Sequence, residues 1–192
     1  MKIKLFLFII LITPLICGLF GILHDQVTYS IAPEYFTKFK FIQFRLVDEN
    51  MQMHMSNRAG AVIVGFMATW WVGIPIGITY AAFLMTFKEK LNLYRFYWKA
   101  IGITLNVTIL FSLIGYIQGI VEVKNHHIPN WYFPEGLINI DRFIIVGNIH
   151  NLSYMGGTVG LMAGTLFLAI KKSKEKKIRR EINFSKTKNS EN

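Results

Sequence analysis

LFLFIILITPLICGLFGIL, residues 5–23, decides the fold class. Nineteen residues without a charge stand between Lys4 and His24. As an α-helix they are long enough to cross a hydrocarbon layer of ~30 Å. In lipid the stretch must be helical, because its backbone groups have no water to bond. Three further apolar blocks, at about 60–87, 100–121 and 143–170, repeat the pattern. Four spans explain a 192-residue chain with 53% hydrophobic and only 17% charged residues. The expected fold is an all-α bundle of four transmembrane helices over residues 1–172, followed by a basic cytoplasmic tail, residues 173–192. Pro14 and Pro75 fall inside spans, where neighbouring helices tolerate kinks. The apolar content excludes a disordered chain. The single cysteine, Cys17, excludes a disulfide-stapled secreted domain.

Lys2 and Lys4 before Leu5–Ile12 resemble the start of a signal peptide. No small-x-small site follows, and Ile16 precedes Cys17 where a lipoprotein signal needs a small residue. An uncleaved first helix is expected. Orientation follows from counting Lys and Arg in the connections. The N-terminus, residues 87–99 and the tail hold fifteen; residues 24–59 and 122–142 hold six. Without the tail the count is level, but the inner loop is short and dense and Lys171–Lys172 abut a span. The expected home is a bacterial inner membrane, multi-pass, with both termini cytoplasmic. The tail KKSKEKKIRR also explains most of the net charge of +10. It reads as an anchor on anionic lipid headgroups rather than a nucleic-acid surface, having no aromatic or fold support for the latter. Residues 183–192 read as a disordered end.

Gly73 and Gly77, Gly115 and Gly119, and Gly156, Gly160 and Gly164 recur at four-residue spacing. Small residues so placed let helices approach closely in lipid. They suit a compact bundle with the fourth helix central, and equally a homo-oligomer joined through glycine-rich faces. Thr104, Asn106, Thr108 and Ser112 put polar atoms along the third span, where interhelical hydrogen bonds are expected. No span has a charge near its middle and no half-to-half repeat is evident, against a proton pump or an inverted-repeat carrier.

All five histidines and seven of the eleven acids lie on the side opposite the tail. Imidazole and carboxylate gathered there suggest metal binding or acid–base chemistry. His24 closes the first span, Glu122 closes the third and His150 lies near the outer end of the fourth. Their shared depth makes His24, Glu122 and His150 the candidate ligands of a divalent metal. Asp25, Gln26, Tyr29, Glu34, Asn151 and Tyr154 are candidate ligand-binding or supporting residues. A structural hydrogen bond between imidazole and carboxylate is the competing account. The run MQMHM, Met51–Met55, offers thioethers and His54 to monovalent copper, or is a flexible apolar lead-in. A haem held by His24 and His150 is a further alternative. Neither a nucleophile elbow nor a phosphate loop is present.

Residues 24–46, HDQVTYSIAPEYFTKFKFIQFRL, are rich in aromatics, and Pro33 with Glu34 suits the opening of a short helix. The segment is amphipathic and reads as a lid over the polar cluster. HDQVTY, EYF, KFKFIQF, ATWWVG at 68–73 and HNLSYMGG at 150–157 together resemble an uncharacterised family of small bacterial four-helix integral membrane proteins. That resemblance implies four spans and an intact first helix, and it carries no catalytic or binding roles. The working expectation is a binding module for a metal ion or small polar ligand. Its rivals are a structural or assembly membrane protein without ligand, and a membrane enzyme using the same cluster for acid–base chemistry.

Overall fold

The computed structural model describes residues 2–88 and 92–190. Lys90, counted in the inner loop above, and residues 191–192 of the tail lie outside them. The molecule is all-helical, 82% helix. Four helices are long and apolar enough to cross a membrane: Lys2–Ile31, Asn57–Met85, Leu93–Lys124 and Ile140–Lys186.

The first span is α1 (Lys2–Ile31), which runs through HDQVTYSI and ends at an extended Ala32. Pro33 forces that break, because a residue before proline avoids the helical region. The chain restarts at once as α2 (Pro33–Tyr35), a π-helical turn (Phe36–Lys40) and α3 (Phe41–Gln43). Ser56 then caps α4 (Asn57–Thr69) through its side chain. The second span tightens at a 3₁₀ turn (Trp70–Val72) and resumes as α5 (Gly73–Met85). Pro75 sits in the first turn of α5, where its missing N–H leaves no bond unmade. The third span is α6 (Leu93–Lys124), and the fourth is α7 (Ile140–Ser190). The expected disordered end is therefore helical to Ser190. The tail is dense in Lys, Glu and Arg, which favour helix, and Lys172 pairs with Glu175 one turn on.

The helices form two closely packed groups. In one, α1 lies against α4 and α5; in the other, α6 lies along α7. Glycine sets both contacts. A Cβ on Gly21 would meet the Gly65 carbonyl at 2.1 Å, and one on Gly73 would meet Pro14 at 2.5 Å. On the other side Gly115 faces the Asn148 backbone, Gly119 faces Ile145 and Gly160 faces Thr104. Gly164 alone of the fourth-span glycines reaches across, to Tyr80. So α7 is the partner of α6 rather than the hub of the bundle. These glycine contacts are made within one chain.

Two buried hydroxyl pairs join the groups: Thr13 Oγ1 with the Tyr97 hydroxyl at 3.0 Å, and the Tyr80 hydroxyl with Thr104 Oγ1 at 2.5 Å. Of the four polar residues of the third span, Thr104 makes the interhelical bonds. Asn106, Thr108 and Ser112 instead donate to carbonyls one turn back on their own helix. The apolar core has two parts. Leu5, Ile9, Leu84, Phe87, Leu93 and Leu168 help to close the end beside the tail. Tyr35, Phe36, Phe41, Phe143, Val146 and Ile149 belong to the cluster at the opposite end.

Candidate metal centre

The buried stripe of α1 reads Leu5, Ile9, Thr13, Cys17, Gly21, Asp25 and Thr28. Steps of four and three keep one face inward, and that register carries Asp25 into the seam between the groups. His24 precedes it on the same turn with 11% of its side chain exposed. From the other group α7 brings His150, which is 4% exposed. His24 Nδ1 lies 3.2 Å from Asp25 Oδ1, and His150 Nε2 lies 3.8 Å from the same oxygen. The two imidazoles meet edge to face with centroids 4.7 Å apart. One donor atom from each of His24, Asp25 and His150 falls within 4.8 Å of the others. Donors on a tetrahedral ion with ~2.0–2.1 Å bonds stand roughly 3.4 Å apart, so the group needs only small adjustments to close on one.

Hydrogen bonding in the site is incomplete. Thr28 Oγ1 is 3.3 Å from His150 Nε2. Among the described residues, His24 Nε2 and Asp25 Oδ2 are buried without a hydrogen-bond partner. Such atoms are rare in folded proteins and each needs an explanation.

The segment from Pro33 to Gln43 roofs the group. Tyr35 stacks on His150 at 4.9 Å, and Phe36 meets its edge at 6.1 Å. Lys40 is buried in this roof, donates to Gln43 Oε1 at 3.1 Å, and lies near the rings of Tyr35, Phe39 and Phe44. Burial holds its ammonium below the usual lysine range, against the opposing pull of Asp25. Burial also pushes the Tyr35 hydroxyl up. Below the group is a cavity of about 70 Å³ whose lining includes His24, Asp25, His150, Ser153 and Tyr154, with Cys17 further along α1.

Glu122, expected as the third ligand, lies outside this group. Its carboxylate accepts from Asn148 Nδ2 at 2.6 Å and from Gln118 Nε2 at 3.2 Å. The reason is helical phase. Asn148 and His150 are two residues apart on α7, so they point about 200° apart. The Asn148 face meets α6 and Glu122; the His150 face meets α1. Asp25, expected as a supporting residue, takes the third position. Tyr154 lines the cavity one turn from His150.

The remaining candidates are elsewhere. Asn151 is exposed. Gln26 donates to the Arg58 carbonyl at 3.0 Å, and the Arg58 guanidinium stands over the Tyr29 ring, so both tie α1 to the start of α4. Glu34 accepts from the backbone of Ile138 and Asn139 and pairs with Lys38 at 3.3 Å. In the MQMHM run Met53 packs against the core while Met51 and Met55 are exposed, and His54 pairs with Asp48. The alternation that suggested copper thus divides its sulfurs between two environments. The edge contact of His24 with His150 leaves no space for a porphyrin between them, which removes the haem alternative.

Residues missed in the sequence are Thr28 and Lys40 as neighbours of His150 and Asp25, whereas Tyr35 belongs to the segment expected as a lid. The signal for Thr28 was available: it continues the Thr13–Cys17–Gly21–Asp25 stripe. Comparison with family models, curated proteins and solved structures finds no match. The roles below therefore rest on geometry.

Proposed function

We propose that this is a multi-pass bacterial inner-membrane protein, both termini cytoplasmic, that holds a divalent metal ion on His24, Asp25 and His150 at its outward end. The observation that carries the reading is the convergence of donor atoms of His24, Asp25 and His150 within 4.8 Å of one another, together with Asp25 Oδ2 and His24 Nε2, buried and without a partner among the described residues. Leaving a buried polar atom unsatisfied costs ~1–3 kcal/mol, and a purely structural cluster would pair them. A cation among the three side chains would bind the Asp25 carboxylate and one nitrogen of each imidazole. Two imidazoles and a carboxylate suit zinc and neighbouring divalent ions. The opposite end of the molecule carries the basic tail, which favours the cytoplasmic face and contacts anionic headgroups.

The test is metal analysis of the full chain, purified in detergent and dialysed against zinc. About one zinc per chain is expected in the wild type and in Glu122→Gln, with at least a ten-fold loss of affinity in His150→Ala and Asp25→Ala. Equal, substoichiometric zinc in wild type and His150→Ala overturns the metal reading and leaves a structural protein.

A further inference from the structure

The cavity beside the three ligands has a mixed lining. Its apolar side chains are Phe20, Ala68, Val72, Ile76 and Leu105, and Thr69, Thr104 and Thr108 add hydroxyls to those of Ser153 and Tyr154. Its volume is about 70 Å³. One water needs ~10–15 Å³ by the same measure, so the space takes roughly five water-sized groups. A mostly apolar hollow with a few converging polar groups is the usual form of a small-molecule site. Three protein donors also leave a four-coordinate ion one position short.

Phe20 and His24, one turn apart on α1 with rings 5.9 Å apart, line this cavity and also a groove of about 460 Å³. That groove runs between α1 and α6 and is walled by Leu23, Val27, Ile109 and Leu113. Leu23 is 69% exposed and Val27 63%, on a surface that a four-span arrangement turns to hydrocarbon. Two rings therefore separate the cavity from lipid.

Resting on the metal reading above, we propose that the ligand completing the site is a small amphiphile from the lipid phase. Its head is a metal-binding acyl group such as a carboxylate or hydroxamate. Its alkyl chain, about four to six carbons by the size of the cavity, lies against Ala68, Val72 and Leu105. Phe20 and His24 are the two side chains it passes.

Gly157 supplies the test. It lines the cavity, and the nearest atom to a Cβ built there is Thr108 Oγ1 at 4.0 Å. A side chain at this position enters the hollow without moving backbone. The zinc-loaded full chain, in one detergent, is titrated calorimetrically with acetohydroxamate and with hexanohydroxamate. The wild type is expected to bind the six-carbon probe at least about ten-fold more tightly. Gly157→Leu is expected to keep its zinc and bind the two probes within about two-fold of each other. Ala68→Leu fills the hollow from α4 and serves where Gly157→Leu does not fold. Equal affinity in the wild type overturns the inference and leaves the metal site standing. So does a preference that survives both fillings, which is the signature of micelle partition. A wild type that takes up no zinc overturns the metal reading and this inference together.

Discussion

Glu34 shows how one carboxylate ties two distant segments. Its oxygens accept from the Ile138 and Asn139 amides at 2.8–3.2 Å, and Lys38 pairs with it from the next turn. These bonds hold its carboxyl below the ordinary value of 4.5, chiefly through Ile138. A depressed folded-state pKa means stabilisation that is full above pH 4.5 and lost as pH falls through the folded value. At neutral pH, Glu34→Gln should loosen this tie by about 1 kcal/mol, given screening at the surface. At fixed pH, amide exchange at Ile138 and Asn139 should then speed about five-fold, and in the wild type the protection factors of the same amides should fall as acid protonates Glu34. Unchanged exchange in Glu34→Gln would show that packing alone holds the loop. Asp25 and Glu122 make the complementary point. Both are carboxylates near a span end, but Asp25 is left with an empty oxygen while Glu122 has amide donors. The proposed ligand role of Asp25 rests on that difference rather than on residue type.

At the scale of elements, helix faces explain most of the packing. The α1 stripe passes from Leu5 and Ile9 through the smaller Thr13, Cys17, Gly18 and Gly21, and where glycine falls on it another helix comes close. Gly21→Ala and Gly160→Ala each push a methyl into backbone, at 2.1 Å from the Gly65 carbonyl and 2.7 Å from the Thr104 carbonyl. Each should cost ~1–3 kcal/mol. Gly102 has nothing within 4 Å of a Cβ, so Gly102→Ala should be neutral or gain up to about 1 kcal/mol from helix propensity. Thermal unfolding in detergent distinguishes these cases. If Gly102→Ala proved as damaging as Gly21→Ala, the two-group packing would be wrong. The roof owes its form to Pro33, which ends α1 beside the site and turns the aromatic run back over His150.

At the scale of the molecule, the three candidate ligands straddle the seam between the two helix groups, with His24 and Asp25 from one and His150 from the other. A bound ion would tie the groups where their direct contacts are few. The basic half of α7 lies at the end remote from the site. A fluorescent-protein fusion after residue 192 should therefore fluoresce, and alkaline phosphatase inserted within residues 125–139 should be active. An inactive phosphatase in that loop would invert the orientation and place the site in the cytoplasm.

Four helices long and apolar enough to span a membrane were written in the sequence. Backbone groups in lipid admit no other structure for such runs, and a contiguous apolar block needs no partner to be recognised. His24 and His150 were also legible, as imidazoles at matching ends of two spans. The third member of the group was not. That Asp25 and not Glu122 joins the two imidazoles depends on the rotation of α1 and α7 about their axes, and glycine contacts at Gly21, Gly73, Gly115 and Gly119 set that rotation. Depth along a span can be counted from one chain segment, but facing requires two helices in register. That is why the polar end opposite the tail could be read from the order of residues, while the group of His24, Asp25 and His150 and the hollow beside it came from the packed bundle.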